Sequence, residues 1–336
     1  MKFLVIGLGS MGKRRIRNLQ YLKAGEIFGF DPRQERREEV IQRYGIKVCA
    51  TFEAALKLNP DALIISTPPD LHMSYALLSA RAGKHFFTEA SVVPHGMKEL
   101  IELCRNGGFV AAPSCTMRFH PLILKIKELM DGGKIGKPLA LTYHSGQYLP
   151  DWHPWEDYRR YYVAKRETGA CREIVPFELS WLTWIFGPIS QISCFKDKTS
   201  ALDVDIDDVY QVLLKFKGGL LGHLLVDVVA RAPTRSFRLL GQEGVIEWVW
   251  SQKCIRVFMS DTKEWTEINE PASILEPGYQ SAENMYIEEM RAFLSAIYGE
   301  SSFPISFEED LRTLGYLYGA EKSSDESRSV LYGESL

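Results

Sequence analysis

A turn of three glycines followed by a lone acid is the part of this sequence best suited to chemistry. Gly7, Gly9 and Gly12 follow the apolar run at positions 2–6, and a helical pattern begins directly after them. In such a turn the first glycine permits a tight bend, the second lets the backbone approach a pyrophosphate, and the third lets the helix pack on the strand. Asp31 ends the next apolar run, where a carboxylate binds the ribose hydroxyls of a dinucleotide. The pattern therefore predicts a dinucleotide site.

The predicted cofactor is NAD, because the carboxylate of Asp31 would repel the 2′-phosphate of NADP. Arg33, two residues on, would soften that preference, so NADP stays possible. Ser10 and Met11 open the helix, whose free N–H groups and partial positive charge suit the phosphates. Further cofactor contacts are expected after later strands of a parallel sheet, where its ligands bind. These are Thr67, Pro68, His72, Glu89 and Ala90, with His72 shaping the crevice rather than reacting.

Composition excludes several classes of protein. A chain of 336 residues is long enough for about two domains, and 46% hydrophobic with 25% charged residues is ordinary for a globular protein. The net charge of −3, with no long basic run, argues against nucleic acid or an anionic membrane as a partner. Six widely spaced cysteines without a C-x-x-C pair suggest reduced thiols in a cytoplasmic enzyme and no metal site.

The chain has two parts that differ in their pattern of apolar residues. Up to about residue 120, short apolar runs at 26–30, 62–66, 84–88 and 109–112 alternate with helical patterns. This alternation predicts a doubly wound parallel sheet of the Rossmann type over 1–120. From 121 to 336 the pattern predicts an α+β domain for substrate binding and oligomerisation.

A hairpin in the second part predicts self-association. Strand patterns at 208–217 and 220–229 flank a Gly-Gly turn, and both of their faces are largely apolar. Leu213, Leu221 and Leu225 lie on the face opposite Tyr210, Val212 and Leu214. Since helices can cover one face only, we expect a homodimer or tetramer through this sheet.

Motifs along nearly the whole chain resemble the Gfo/Idh/MocA family of NAD(P)-dependent oxidoreductases, which includes glucose–fructose oxidoreductase and inositol dehydrogenase. Besides the glycine turn they are Thr-Pro-Pro-Asp-Leu-His at 67–72, Ala-Gly-Lys-His at 82–85, Arg-Phe-His-Pro at 118–121, Gly-Lys-Pro at 136–138, Trp-Ile-Phe-Gly at 184–187 and Tyr-Ile-Glu-Glu-Met at 286–290. The resemblance implies a Rossmann domain, a second domain with a large open, mostly antiparallel sheet, and a sugar, sugar acid or nucleotide sugar as substrate. The segment 147–159 is similar to members found with surface-glycan and nonulosonic-acid genes.

The chain departs from the family pattern at two catalytic positions. Where the family has Glu-Lys-Pro, this sequence has Glu89-Ala90-Ser91, and alanine cannot tune proton transfer. Counting back from Gly187, the family's acid falls on Glu173, but its histidine base falls on Phe177. One helical turn around that position offers no base except Glu178.

The functions of the missing lysine and histidine must be carried out by other residues, and the candidates are Glu173 and the aromatic segment 147–162. Glu173 is the first candidate for the catalytic base and His153 the second. Substrate contacts are predicted from aromatic faces for a sugar ring and from basic groups for a carboxylate. They are Arg118, Trp152, Tyr158, Arg159 and Phe177. The alternative is that the aromatic residues cover a domain interface.

Three functions fit these residues. The leading one is an NAD(P)-dependent oxidoreductase that transfers a hydride between nicotinamide and a sugar-like substrate. The second is a catalytically silent NAD-binding sensor or partner subunit, and the third is a lyase, epimerase or hydrolase that retains its NAD.

Overall fold

The computed structural model describes residues 1–154, 156–273 and 283–332, which form two compact units. The first unit comprises Met1–Phe119 and Ser273–Leu311, and the second comprises His120–Ala272 and Arg312–Leu336. The sequence predicts domains at 1–120 and 121–336, whereas in this division 273–311 belong with the first unit.

The first unit is built on a parallel sheet, as the sequence predicted. Within the described residues the sheet has six strands in the order β3-β2-β1-β4-β5-β6. They are β1 (Lys2–Ile6), β2 (Glu26–Phe30), β3 (Lys47–Cys49), β4 (Ala62–Ile65), β5 (His85–Thr88) and β6 (Ala111–Pro113). Strand β4 is buried along its whole length, which explains its unbroken apolar sequence.

Five helices connect these strands among the residues described. They are α1 (Ser10–Tyr21), α2 (Gln34–Tyr44), α3 (Phe52–Leu56), α4 (His72–Arg81) and α5 (Met97–Asn106). Helix α1 buries Ile16 and Leu19 and follows the glycine turn directly. The helix expected from Pro94 begins only at Met97, because Gly96 has a φ of 85°, outside the helical region.

The second unit carries a nine-stranded sheet, counted over the described part of the chain, in the order β14-β13-β12-β11-β7-β10-β9-β8-β15. Its strands are β7 (Pro138–Tyr148), β8 (Ile189–Asp197), β9 (Val209–Phe216), β10 (Leu221–Asp227), β11 (Val229–Gly241), β12 (Gly244–Val249), β13 (Cys254–Met259), β14 (Glu264–Asn269) and β15 (Val330–Leu331). Strands β7 and β10 pair in parallel, and the other pairs are antiparallel. This is the mostly antiparallel sheet that the resemblance implied.

The two faces of this sheet differ. Helices α6 (Pro121–Asp131) and α7 (Ala170–Phe186) belong to the same unit, and Trp181 of α7 meets Tyr143 of β7 edge to face at 5.2 Å between ring centres. The opposite face leaves apolar side chains in solvent: Phe195 is 81% exposed, Leu213 57% and Leu221 56%. The predicted division of these side chains between two faces thus agrees with the structure, in which Tyr210, Val212 and Leu214 are buried.

The last part of the chain completes the first unit. Helix α8 (Asn284–Ile297) buries Met290, Phe293 and Leu294 in the same cluster as Val5 and Ile16. The ring of Phe293 meets Phe87 of β5 at 6.0 Å. Helix α9 (Phe307–Asp325) follows. Because the apolar face of α8 matches the first sheet, it folds there although it is far along the chain.

No described helix combines the length and the apolar character that crossing a bilayer requires.

Candidate functional site

The glycine turn after β1 has the geometry that its sequence predicts. Gly7 has a φ of 86°, and a Cβ added there would lie 2.4 Å from the carbonyl oxygen of Ser66. A Cβ on Gly12 would lie 1.8 Å from the carbonyl oxygen of Gly7. Neither position can hold a side chain, because the turn, α1 and the end of β4 approach too closely. The atoms nearest to a Cβ added on Gly9 belong to the guanidinium of Arg36, the closest at 3.2 Å, so a positive charge lies beside the backbone that approaches the phosphates.

Asp31 lies beside this turn, directly after β2. Its Oδ2 accepts a hydrogen bond of 2.8 Å from the N–H of Leu8, and its Oδ1 accepts one of 2.9 Å from the N–H of Arg33. The carboxylate is therefore held in place by the backbone of the glycine turn. The helix α1 starts at Ser10 and Met11, beside the turn. The glycine turn, the carboxylate of Asp31 and the N-terminus of this helix together fit the adenosine and pyrophosphate parts of NAD.

Glu89, at the end of β5, is fixed by a buried ion-pair network. Arg15 of α1 donates from Nε to Oε1 at 2.7 Å and from Nη2 to Oε2 at 2.8 Å, and Ser66 donates to Oε1 at 3.1 Å. Arg15 also pairs with Glu289 of α8 at 2.8 Å, and its side chain is fully buried. Since its oxygens are already occupied by donors, Glu89 serves to position its loop rather than to move protons.

The loops after β4 and β5 are joined by His72, which the sequence assigned to the cofactor crevice. Its Nε2 lies 2.8 Å from the carbonyl oxygen of Thr67 and its Nδ1 lies 3.0 Å from Oγ of Ser91. The ring is 1% exposed, and burial lowers its pKa, so it is neutral with the proton on Nε2. His72 thus braces the segments carrying Pro68 and Ala90, which fits a shaping role.

Helix α7 presents two acids in very different surroundings. Glu173, Phe177 and Ser180 are partly exposed and share one face at helical spacing. Glu178 is fully buried and accepts hydrogen bonds from Tyr143, Ser145, Trp181 and Arg235, at 2.8 to 3.1 Å. A carboxylate so fully occupied cannot act as the missing base. On this helix Glu173 alone remains a candidate.

The aromatic segment before α7 brings His153 to Tyr161, with ring centres 5.5 Å apart and planes inclined by 28°. Two buried donors in it, Trp152 Nε1 and Tyr161 Oη, have no hydrogen-bond partner among the described residues. Burial, and then the charges of Glu156 and Glu173, raise the pKa of the Tyr161 hydroxyl, so it stays protonated. The charge of Glu173 therefore influences the pKa of Tyr161, the residue whose ring stacks on His153. Trp155 lies outside the described residues.

Three predicted substrate contacts have other partners. Arg159 binds Asp157 through Nε and Nη2, at 2.8 and 2.9 Å, and Asp203 at 3.2 Å, in an exposed network. The Tyr158 hydroxyl accepts the N–H of Asp203 at 3.3 Å. Arg118, in the first unit, is 3% exposed and pairs with Glu309. The geometry disfavours substrate roles for these residues, because each is committed to a local contact.

Sequence reasoning missed Arg15. Arg15 stands three residues after Gly12 and reads as a surface helix residue, because Glu289 is far away in the sequence. Tyr161 was predicted only as a weaker candidate for a proton donor, together with Tyr162 and Lys165. No cluster of His, Cys, Asp and Glu within the described ranges could hold a metal ion.

Comparison with known proteins matches both halves of the chain. Residues 1–112 match the oxidoreductase family with an NAD-binding Rossmann fold, and residues 123–247 match the GFO/IDH/MocA C-terminal domain. The myo-inositol 2-dehydrogenase of Thermotoga maritima is 25% identical, with 98% of each chain covered.

Solved structures agree in fold. A levoglucosan dehydrogenase in complex with NADH and levoglucosan superposes with a TM-score of 0.86 at 18% identity, covering 98% of this chain and 99% of that one. An oxidoreductase from Agrobacterium radiobacter, in complex with NAD⁺, L-tartaric acid and magnesium, gives 0.86 at 16% identity, covering 98% of each chain. With an NAD-binding Rossmann unit and a matching second domain, this chain belongs to the Gfo/Idh/MocA family of oxidoreductases.

Proposed function

We propose that this oxidoreductase oxidises a hydroxyl group of a sugar-like substrate with NAD, using Glu173 instead of the family's histidine as proton acceptor. The observation that carries the proposal is the contrast on α7. Glu173 is the acid on the partly exposed face, whereas Glu178 is buried and saturated with donors. Phe177, one turn from Glu173, offers an apolar surface to a sugar ring.

The unsatisfied donors support a polyhydroxylated substrate. Trp152 Nε1 and Tyr161 Oη lack partners in the described structure, and an unpaired buried donor is costly unless a ligand or water occupies it. Hydroxyl or carboxylate oxygens of a sugar or sugar acid would satisfy both. Relatives named for inositol and levoglucosan dehydrogenation favour such a substrate. The similarity of 147–159 to surface-glycan enzymes makes sugar acids and nucleotide sugars the first compounds to try.

In the proposed reaction Glu173 takes the proton of the substrate hydroxyl as the C–H hydride leaves. Bound NAD⁺ supplies the hydride acceptor. The glycine turn and Asp31 hold its phosphate and ribose groups, and the network of Arg15 and Glu89 keeps the loop with Ala90 in place. His153, stacked on Tyr161, is the second candidate for the proton transfer.

The exposed face of the large sheet is the proposed dimer interface. Phe195, Leu213 and Leu221 share that face, and their exposure is unusual for large apolar side chains that project from strands. A second copy of the chain would remove them from water.

The second candidate function is a silent NAD-binding protein. It is favoured by Ala90 and Phe177, which place no ionisable group where the resemblance expects a lysine and a histidine. An enzyme that retains its NAD through a lyase, epimerase or hydrolase cycle is the third.

One screen separates the three. The protein is incubated with NAD⁺ and a panel of polyols, aldoses, sugar acids and nucleotide sugars. NADH absorbance and NMR spectra of the sugars are both recorded. Formation of NADH with an oxidised sugar supports the dehydrogenase, whereas a changed sugar without net NADH supports the cofactor-retaining enzyme. NAD binding without any change in the panel moves the assignment to the silent protein.

A further inference from the structure

His223 lies among the exposed apolar side chains of the large sheet. It belongs to β10, where Leu221 and Leu225 point to the same side, two residues before it and two after it. Across the sheet it is paired with Leu213 of β9 and with Thr142 of β7. An imidazole that can take up a proton between pH 5 and pH 8 is therefore surrounded mainly by leucines.

The titratable groups on the strands beside His223 are basic. Lys215 of β9 and His144 of β7 lie diagonally across from it, and Arg238 of β11 lies one strand further away. On its own strand the acid Asp227 stands four residues along the chain. Burial, and then the charge of His144, lower the pKa of His223, in keeping with surroundings that disfavour its protonated form.

Asp227 is committed to a different histidine. Its Oδ2 lies 2.5 Å from Nε2 of His144, and its Oδ1 accepts hydrogen bonds from the N–H groups of Val229 and Ala230, at 3.0 and 2.7 Å. A proton on His144 is therefore balanced by a carboxylate. A proton on His223 is not, since no carboxylate within the described parts of the chain lies at ion-pair distance from it.

The size and the charge of the exposed face suit a second copy of this chain. The nine described strands, of about seven residues each, span roughly 40 Å by 25 Å, or about 1,000 Å², whereas a stable interface buries about 800 Å² per partner. On the β11–β14 half of this face Arg238 pairs with Glu247 at 3.2 Å, and Arg256 with Glu267 at 3.7 Å. Because these charges are balanced within the chain, a partner needs no complementary charge, and an identical copy meets that condition.

We propose that His223 makes association through this face dependent on pH, so that two copies bind at neutral pH and separate in mild acid. The inference rests on the proposed dimer interface. In the dimer each His223 is removed from water among leucines and held neutral, whereas in the monomer it can take up a proton. Its pKa is therefore lower in the dimer, so the association is strongest above the monomer pKa and weakens as the pH falls through it.

Subunit association of the whole chain tests this without any substrate. Sedimentation of dye-labelled protein over a dilution series gives the dissociation constant, and exchange between donor- and acceptor-labelled copies gives the dissociation rate. Between about pH 7.5 and pH 5 we expect the wild-type dissociation constant to rise by about 10- to 100-fold, because two protons are taken up per dimer. His223→Gln, which is polar but stays uncharged, should remain dimeric and lose most of this effect. His223→Leu, apolar like its neighbours, should do the same.

His95→Gln is the matched control, because it removes an exposed histidine of the first unit and should keep the wild-type pH effect. Circular dichroism at pH 5 checks that each protein is folded. A wild-type dimer with the same dissociation constant and exchange rate at both pH values overturns this inference and leaves the proposed interface standing. A wild type that is monomeric at both overturns the interface and the inference together. A pH effect retained in both His223 variants, or lost in His95→Gln, assigns it to other groups and also overturns the inference.

Discussion

Arg15 and Glu89 form a two-point ion pair, with Nε to Oε1 at 2.7 Å and Nη2 to Oε2 at 2.8 Å. The pair ties α1 to the loop that carries Ala90. Arg15 also neutralises Glu289, which binds Ser114, Thr116 and the N–H of Cys115 at 2.7 to 2.9 Å. One buried cation therefore serves two carboxylates.

Replacing Arg15 should destabilise the first unit strongly. Arg15→Met leaves Glu89 and Glu289 without their counter-charge in a buried site, which costs about 3–5 kcal/mol of unfolding free energy. Lys13→Met is the control: Lys13, on the same helix as Arg15, pairs with the half-exposed Glu39 of α2, and its loss should cost less than about 1 kcal/mol. Urea unfolding followed by circular dichroism measures both. Equal losses in the two variants would contradict the role given to the network.

Glu173→Gln should abolish turnover on any substrate that the screen identifies. The amide keeps the shape of the side chain but cannot accept the hydroxyl proton, and a general base contributes about 10²–10⁴-fold. NAD⁺ affinity, measured by calorimetry, should stay the same. Glu167→Gln, an exposed acid just before the same helix, should keep full activity. Undiminished turnover in Glu173→Gln would remove Glu173 from the mechanism and leave His153 as the candidate.

A charged residue on the exposed sheet face should separate the subunits. The wild type is expected to scatter light as a dimer or larger, at least twice the monomer mass of 38.3 kDa. Leu213→Arg buries a charge in the proposed interface and should give a monomer. Leu124→Arg, on α6 and 46% exposed, makes the same change elsewhere and should leave the oligomer intact. A monomeric wild type at micromolar concentration would refute the interface.

Acid should weaken the second unit through His120. Burial, and then the charge of Arg235, lower the pKa of this histidine to about 3, whereas in the unfolded chain it titrates near 6.5. The folded pKa is depressed, so the unfolded state takes up the proton first as the pH falls. The stabilisation is therefore present above about pH 6.5 and is lost towards pH 3, amounting to about 2 kcal/mol between pH 7 and pH 5.

Tryptophan fluorescence suits this measurement, since all seven tryptophans lie between residues 152 and 265. The ring of His120 contacts those of Trp248 and Trp250 in tilted arrangements, with ring centres 5.2 and 5.3 Å apart. Urea unfolding at pH 7 and pH 5 should show a smaller pH effect in His120→Gln than in the wild type. The exposed His95, in the first unit, is the control, and His95→Gln should retain the wild-type dependence. An unchanged pH effect in His120→Gln would show that other groups cause it.

The structural features that could be predicted from the sequence depend on residues that are close together in the chain. The glycine turn with Asp31, the buried run of β4 and the two sets of apolar residues on opposite faces of the β9–β10 hairpin each follow from neighbouring residues, and each was predicted. Strand β14 was missed because its side chains are almost all exposed, so it lacks an alternating apolar signal. The saturation of Glu178 could not be foreseen, since its donors come from α7, β7 and β11. Arg118 looked like a substrate ligand because its partner Glu309 is remote in the sequence.

The return of the chain to the first unit has a consequence for synthesis on the ribosome. Residues 1–119 emerge first, yet their apolar cluster also needs Met290 and Phe293, and Arg15 needs Glu289. Until α8 has been translated, the nascent unit exposes part of its interior and holds a buried cation with half of its counter-charge. Its final closure must therefore wait for almost the entire polypeptide. A gene cut after residue 119 would yield a fragment prone to aggregation, whereas supplying 283–311 through a linker should restore it.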